Sequence, residues 1–290
     1  MSTTFKVGDL TIHRIVEMEI PFTDPYEFIP GLTPAQLESN RLWMQEAGAL
    51  DPVTGKLVLC FQSYVVRTPH HTILIDSCVG NDKDRATRPV WHQKKDDAWM
   101  RGLAAVGLTV DAIDVVMCTH LHVDHVGWNT RLENGRWVPT FPRARYLFSD
   151  REYAYWTAQH AKAPIACIED SVIPIMEAKQ ADLVSSSHAV NDHMRLIPTP
   201  GHTPDHFAVE LGRGETTAIM TGDLIHSPLQ ARYPGLSMRA DTDPTQAAAT
   251  RRGFLERVCE ERTLCCTAHF PSPSSSRFTR WGEGFRCEPA

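Results

Sequence analysis

Thr119-His120-Leu121-His122-Val123-Asp124-His125 follows directly on the apolar, β-branched run 115–118, which reads as a strand. Four side chains able to bind a metal ion, His120, His122, Asp124 and His125, fall within six residues there. Residues two apart in an extended chain point to the same face, so His120 and His122 project together. Asp124 and His125 come where the chain must turn, with Gly127 supplying freedom to do so. A lone histidine is usually structural. Four nitrogen and oxygen donors at one strand end are instead a ligand set of the kind that zinc and neighbouring metals take.

On the N-terminal side, residues 5–19 alternate like a strand pair turning at Gly8-Asp9. Runs 60–67 and 72–76 are apolar and joined across Thr68-Pro69-His70-His71, a hairpin pattern. Residues 91–106 read as a helix closed by Gly107. On the C-terminal side, strand 145–148 precedes a helix at 150–161. Strands then recur at 194–197, 206–211 and 216–221, before a helix at 244–259 and a strand at 263–267. Strands grouped in two halves, each followed by helices, predict an α/β fold of two sheets face to face with helices outside. Neither a repeat nor a linker interrupts the chain, so 1–290 is expected to be one domain. Residues 20–57 stand apart: Pro21, Pro25, Pro30, Pro34 and Pro52 punctuate them, and the helical stretch is 34–47. Their apolar content predicts a lid over the site, a dimer contact or a cap on the core.

With 42% hydrophobic and 22% charged residues over 290 positions, the chain can bury a core without disulfides or structural metals. A net charge of -6 argues against nucleic acid as a partner, since such proteins carry a basic face. The first residues lack the apolar run of a secretory signal, and no later stretch reaches the roughly 18 apolar residues that span a bilayer. The expectation is a cytoplasmic protein without a membrane partner. The eight cysteines form no C-x-x-C pair and read as buried thiols.

The motif resembles the His-x-His-x-Asp-His signature of the metallo-β-lactamase superfamily. The resemblance continues in order through Pro200-Gly201-His202-Thr203-Pro204, Thr221-Gly222-Asp223 and Thr267-Ala268-His269. With Asp76 in Leu74-Ile75-Asp76-Ser77 it covers most of the chain from residue 5 to 269. It implies an αββα sandwich of two mixed sheets. It also implies two divalent metal ions, zinc first, with iron, manganese or cobalt as alternatives. By position, His120, His122 and His202 would hold one ion, Asp124, His125 and His269 the other, and Asp223 both. A bridging hydroxide would attack the substrate; two ions, two carboxylates and one hydroxide leave a centre of net charge about +1, able to stabilise an oxyanion. Asp124 would double as proton carrier to the leaving group. Asp76 would orient a ligand histidine, and His206 and His226, close in sequence to ligands, would orient one or touch substrate.

Departures from other branches narrow the expectation. The chain has no flavodoxin domain, keeps His122 where redox members place an acid, and keeps Asp223, which antibiotic-hydrolysing members generally lack. Only twenty-one residues follow His269, too few for the glutathione-binding region of glyoxalase II. What remains resembles the acyl-homoserine lactonase and methyl parathion hydrolase branch, often homodimeric. The implied function is hydrolysis of a neutral ester or lactone, with phosphotriester hydrolysis as the alternative. A non-catalytic metal-binding or sensing protein is a third reading, disfavoured because a structural zinc site needs only four closed ligands. Phe22, Phe28, Trp43, Trp128 and Phe270 are the aromatic candidates for a substrate pocket, each equally readable as core or interface.

Overall fold

The computed structural model describes residues 3–214 and 216–290. It divides into two compact units, residues 1–18 with 61–188, and residues 19–60 with 189–290. Each carries a seven-stranded sheet; two sheets were expected from the sequence pattern, and their mixed pairing from the resemblance.

In the first sheet, β1 (Thr3–Val7), β2 (Leu10–Thr23), β3 (Leu57–Arg67), β4 (Thr72–Ile75) and β5 (Val115–Met117) lie side by side in that order. The hairpin β6 (Thr130–Glu133) and β7 (Arg136–Pro139) stands apart, and β8 (Arg145–Ser149) and β9 (Ala181–Val184) complete the sheet beyond β5. Strands β4, β5, β8 and β9 run parallel, so the C-terminal ends of β4 and β5 point the same way. That places Asp76 beside the histidine motif, with the Asp76 N–H donating to the Met117 carbonyl at 2.8 Å. β3 is buried almost throughout, which explains why its sequence runs apolar instead of alternating. The turn of β6–β7 is Asn134-Gly135, both at positive φ (49° and 76°), the backbone a tight hairpin needs.

The second unit's sheet holds β10 (Ala189–Asn191), β11 (Met194–Pro198), β12 (Phe207–Arg213), β13 (Thr216–Met220), β14 (Leu264–Cys266), β15 (Ser275–Trp281) and β16 (Gly284–Pro289) in sequential order. Only β13 and β14 pair in parallel, and the helix Pro244–Glu261 lies between them in the chain. Segment 20–57 is less irregular than its prolines suggest. β2 continues to Thr23, and a helix spans Pro34–Glu46 behind a Thr33/Gln36 capping box. Ile29, Leu37, Met44, Leu50 and Leu57 pack with Leu229 and Leu236 in a buried cluster of the same unit.

One expected element is shorter. The helix predicted over 91–106 is present only at Ala98–Ala105. Trp91 instead packs edge-on against Phe61, at 5.3 Å between ring centres. The Gln93 N–H donates to the Lys83 carbonyl at 2.8 Å, and the Lys94 ammonium is 3.0 Å from the Glu17 carboxylate. Those partners outweigh the helical propensity of the stretch. Burial pushes the pKa of Glu17 up although Lys94 pulls the other way, and the carboxylate also accepts the Val79 N–H and the Trp128 indole N–H.

Lys83 is another buried ion. Its side chain is 0% exposed, donates to Thr130 Oγ1 at 2.6 Å, and lies 3.6 Å from both Asp170 Oδ1 and the centre of the Trp137 ring. Arg85 grips the same Asp170 at 2.7 and 3.0 Å. Burial dominates, and despite Asp170 it lowers the Lys83 pKa from 10.5 to about 7. Between those two values the unfolded chain carries a proton that folded Lys83 does not, so stability rises with pH there. The expected result is that the wild type gains stability relative to Lys83→Met between roughly pH 6.5 and roughly pH 9.5. Denaturant titrations of both proteins at the two pH values check it; an unchanged difference would refute it.

Candidate metal centre

In the first unit the motif hangs from the end of β5. Asp76, at a left-handed φ of 57°, aims its carboxylate back at it. Oδ1 accepts the Thr119 N–H at 2.8 Å, Oδ2 the Thr119 hydroxyl at 3.0 Å, and Oδ2 lies 2.9 Å from His125 Nδ1. The Thr119 hydroxyl has one proton, given to the carboxylate. At 3.1 Å from His120 Nδ1 it therefore accepts, which puts the His120 proton on Nδ1 and the lone pair on Nε2. The rings of His120 and His122 are 4.6 Å apart, those of His120 and His125 4.1 Å. His120 and His125 are buried, whereas His122 and Asp124 are half-buried. The Ser77 N–H donates to the His125 carbonyl at 2.7 Å and holds the turn.

In the second unit four side chains converge. Gly201, at φ 128°, allows the His202 turn to lie against the helix Pro244–Glu261; a Cβ there would sit 2.3 Å from the Ala247 nitrogen. Asp223 follows β13. Its carboxylate lies between three imidazoles: Oδ2 is 3.3 Å from His202 Nε2 and 3.1 Å from His226 Nε2, and Oδ1 is 3.0 Å from His269 Nε2. His206 fixes the backbone, accepting the Asp223 N–H on Nε2 at 2.9 Å while its Nδ1 meets Thr199 Oγ1 at 2.7 Å. His269 Nδ1 donates to the Cys60 carbonyl at 2.9 Å, which leaves its lone pair on Nε2, toward Asp223.

His202 Nδ1 meets Asp241 Oδ1 at 2.8 Å, so its Nε2 also turns toward Asp223. Burial opposes a charge on His202, but Asp223 and Asp241 on either side outweigh it and raise its pKa to about 9. Burial has the upper hand at His226, whose pKa is lowered despite Asp223. Burial would raise Asp241, yet His202 and its other cationic neighbours hold its carboxyl below the usual range. Only His269 has its lone pair fixed toward the carboxylate, since His202 and His226 can each give it a proton; three imidazole nitrogens around one carboxylate are nonetheless a donor set of the kind a divalent metal takes. Asp223, His226 and His269 present ligand atoms within 4.8 Å of one another.

Of the expected orienting residues, Asp76 and His206 contact the clusters as described, and His226 stands inside one. Asp241 was missed. It lies 39 positions from its partner, just ahead of a helix, where an aspartate reads as a cap. Replacing it with asparagine is expected to weaken metal binding about ten- to hundredfold, the usual cost of losing such an orienting carboxylate, as measured by chelator competition. Trp156 was missed too; its ring meets His122 edge-on at 5.3 Å.

The pocket aromatics scatter. Phe28 lies edge-on to His226 at 5.6 Å, and Phe22 is half-buried. Trp43 packs on Trp281. Trp128 is stacked on Trp99 in the first unit's core, and Phe270 belongs to the core of the second.

Residues 62–269 match the family model of the metallo-beta-lactamase superfamily, and the chain belongs to that superfamily. Among solved structures it is similar to AidC, a dizinc quorum-quenching lactonase in complex with a product. The identity is 19%, with 100% of this chain and 97% of that one covered and a TM-score of 0.82. It is similar to the hydrolase AbOPH of the beta lactamase superfamily at 22% identity, with 100% and 97% covered and a TM-score of 0.83. An N-acyl homoserine lactone hydrolase with N-hexanoyl-L-homoserine bound at its catalytic metal center shares 18% identity over 89% of this chain and 92% of that one, with a TM-score of 0.63. At these identities the likeness is one of fold. No helix among the described residues is long and apolar enough to cross a membrane.

Proposed function

We propose that this chain is a hydrolase holding two divalent metal ions, zinc first, which opens neutral esters or lactones. The observation that carries the reading is the Asp223 carboxylate set among three buried imidazole Nε2 atoms at 3.0–3.3 Å. The proposed assignment is His120, His122 and His202 on one ion, Asp124, His125 and His269 on the other, and Asp223 on both. The family match running through both units supports treating residues 1–290 as one working domain.

Bound there, such ions polarise an acyl oxygen and lower the pKa of water enough for attack near neutral pH. The chain's own residues prepare that chemistry. Asp76, through Thr119, holds the His120 proton on Nδ1, and Asp241 does the same for His202. Asp124 is half-buried, with Oδ1 3.9 Å from His125 Nε2, and in this reading carries a proton to the departing alkoxide. Phe28, edge-on to His226, offers an apolar surface to the acyl part of a substrate. The acyl-homoserine products bound in AidC and in the homoserine lactone hydrolase support the substrate class. Leu42 and Val53, 75% and 90% exposed, support a dimer contact through segment 20–57.

The test is turnover by metal-loaded protein on an acyl lactone, an aryl ester, a phosphotriester and a chromogenic β-lactam, with metal content measured alongside. Lactone or ester turnover leading the panel, with two ions per chain, is the expected result. A leading phosphotriester rate would overturn the substrate class, and one tightly closed ion with no turnover would overturn the enzyme reading.

A further inference from the structure

The second unit contains a groove of about 570 Å³ between Pro30-Gly31, the 235–239 turn and the first turn of the helix Pro244–Glu261. That volume suits a small organic ligand. Its walls are mostly apolar: Pro30, Leu236, Met238, Pro244 and Ala248. The hydroxyl of Ser237 is already satisfied, donating to the Pro244 carbonyl at 2.7 Å. Arg239 is the single charged residue lining the groove. Its backbone N–H donates to the Phe28 carbonyl at 2.9 Å, which fixes the turn. Its guanidinium has neither an ion pair nor a hydrogen bond among the described residues, whereas the buried Arg251 of the neighbouring helix is bound to three carbonyls.

An apolar trough with one unpaired cation on its wall is complementary to an apolar chain bearing one negative charge. We infer that this groove binds an aliphatic monocarboxylate, its chain along Leu236, Met238, Pro244 and Ala248 and its carboxylate on Arg239. The guanidinium gives the head group a two-pronged, charge-assisted hydrogen bond that an ammonium or alcohol cannot accept. Opening an ester or lactone turns a neutral molecule into a carboxylate, so such a ligand is of the same chemical kind as the proposed product. The groove's wall also leads to the metal ligands: the Met238 N–H donates to Asp241 Oδ2 at 3.0 Å, and Asp241 Oδ1 meets His202.

Decanoate is the probe, titrated calorimetrically into full-length protein, with decyltrimethylammonium as the oppositely charged control. Arg239→Glu is expected to weaken decanoate at least about tenfold, the size of a lost charge-assisted contact. Gly31→Phe should do the same by filling the groove. A Cβ at Gly31 meets only Leu236 Cδ2, at 3.6 Å, and its backbone is not left-handed, so a side chain can start there without backbone strain; a melting curve of the variant checks that it is folded. Asp223→Asn should bind decanoate like the wild type, which separates the groove from the metal centre and from the proposed catalysis. The inference falls if decanoate does not bind, or if the ammonium binds equally well. It falls equally if Asp223→Asn abolishes decanoate binding while Arg239→Glu leaves it intact.

Discussion

Asp223→Asn is expected to lower lactone or ester hydrolysis on the order of a thousandfold, a loss of several kcal/mol of barrier reduction at about 1.4 kcal/mol per tenfold. The substitution preserves shape and removes one negative charge. Three imidazole nitrogens lie 3.0–3.3 Å from that carboxylate, and on His269 the proton is fixed on the far side of the ring by the Cys60 carbonyl. In the proposed site the carboxylate would share a divalent cation with these nitrogens. An amide offers one neutral oxygen, and its NH₂ would donate to an imidazole nitrogen and take that nitrogen away from a metal. Metal content should fall together with turnover. The His206 contact to the Asp223 backbone does not involve the side chain, so circular dichroism should show an unaltered fold. Wild-type turnover or wild-type metal content in this variant would sink the proposed site.

The parts of this protein that were legible in its sequence are those whose geometry is local. His120, His122, Asp124 and His125 could be read as ligands because a strand end and a turn dictate where they point. His202, Asp223 and His269 are far apart in the chain, and only resemblance to a family connected them. Asp241 escaped because nothing near it in sequence reports on His202; their meeting depends on the turn 238–241. Long-range pairing is equally invisible in the sequence: Lys83 and Arg85 are buried on Asp170, 85 or more positions away. The helix expected from residue 91 gives way for a similar reason, since Lys94 is bound by Glu17 on β2. Trp128 could pass for a pocket aromatic because its sequence position, just after the motif, does not show that its indole is tied to Glu17 in the core.

Glu17 also bears on the largest stability effect expected, that of Gly127→Ala. The loop carrying His125 and the loop after β4 are stitched together: Gly127 N–H donates to Cys78 at 2.8 Å, Trp128 N–H to Ser77 at 2.8 Å, and Ser77 N–H to His125 at 2.7 Å. Glu17 draws the second loop in, accepting the Val79 N–H at 2.8 Å and the Gly80 N–H at 3.3 Å. The two backbones are so close that a Cβ on Gly127 would lie 1.9 Å from the Val79 oxygen and 2.0 Å from its carbonyl carbon. Gly127 is not in the left-handed region, so alanine would suffer no dihedral strain; the whole cost is steric, and backbone on both sides cannot swing away. Separating the loops breaks their hydrogen bonds and uncovers the Glu17 carboxylate, so the loss should be about 3 kcal/mol or more, at the upper end for overpacking. For a chain of 290 residues that corresponds to a fall in melting temperature of roughly 5 °C or more for the metal-depleted protein. Gly253→Ala is the control: it sits in the helix Pro244–Glu261 with nothing within 4 Å of its Cβ, and should be neutral or stabilising by up to about 1 kcal/mol. Because His125 lies two residues before Gly127, the same displacement should also loosen metal binding. If Gly127→Ala melts within about a degree of wild type, less than 1 kcal/mol by the same conversion, the close approach of the two loops is not what holds the motif in place.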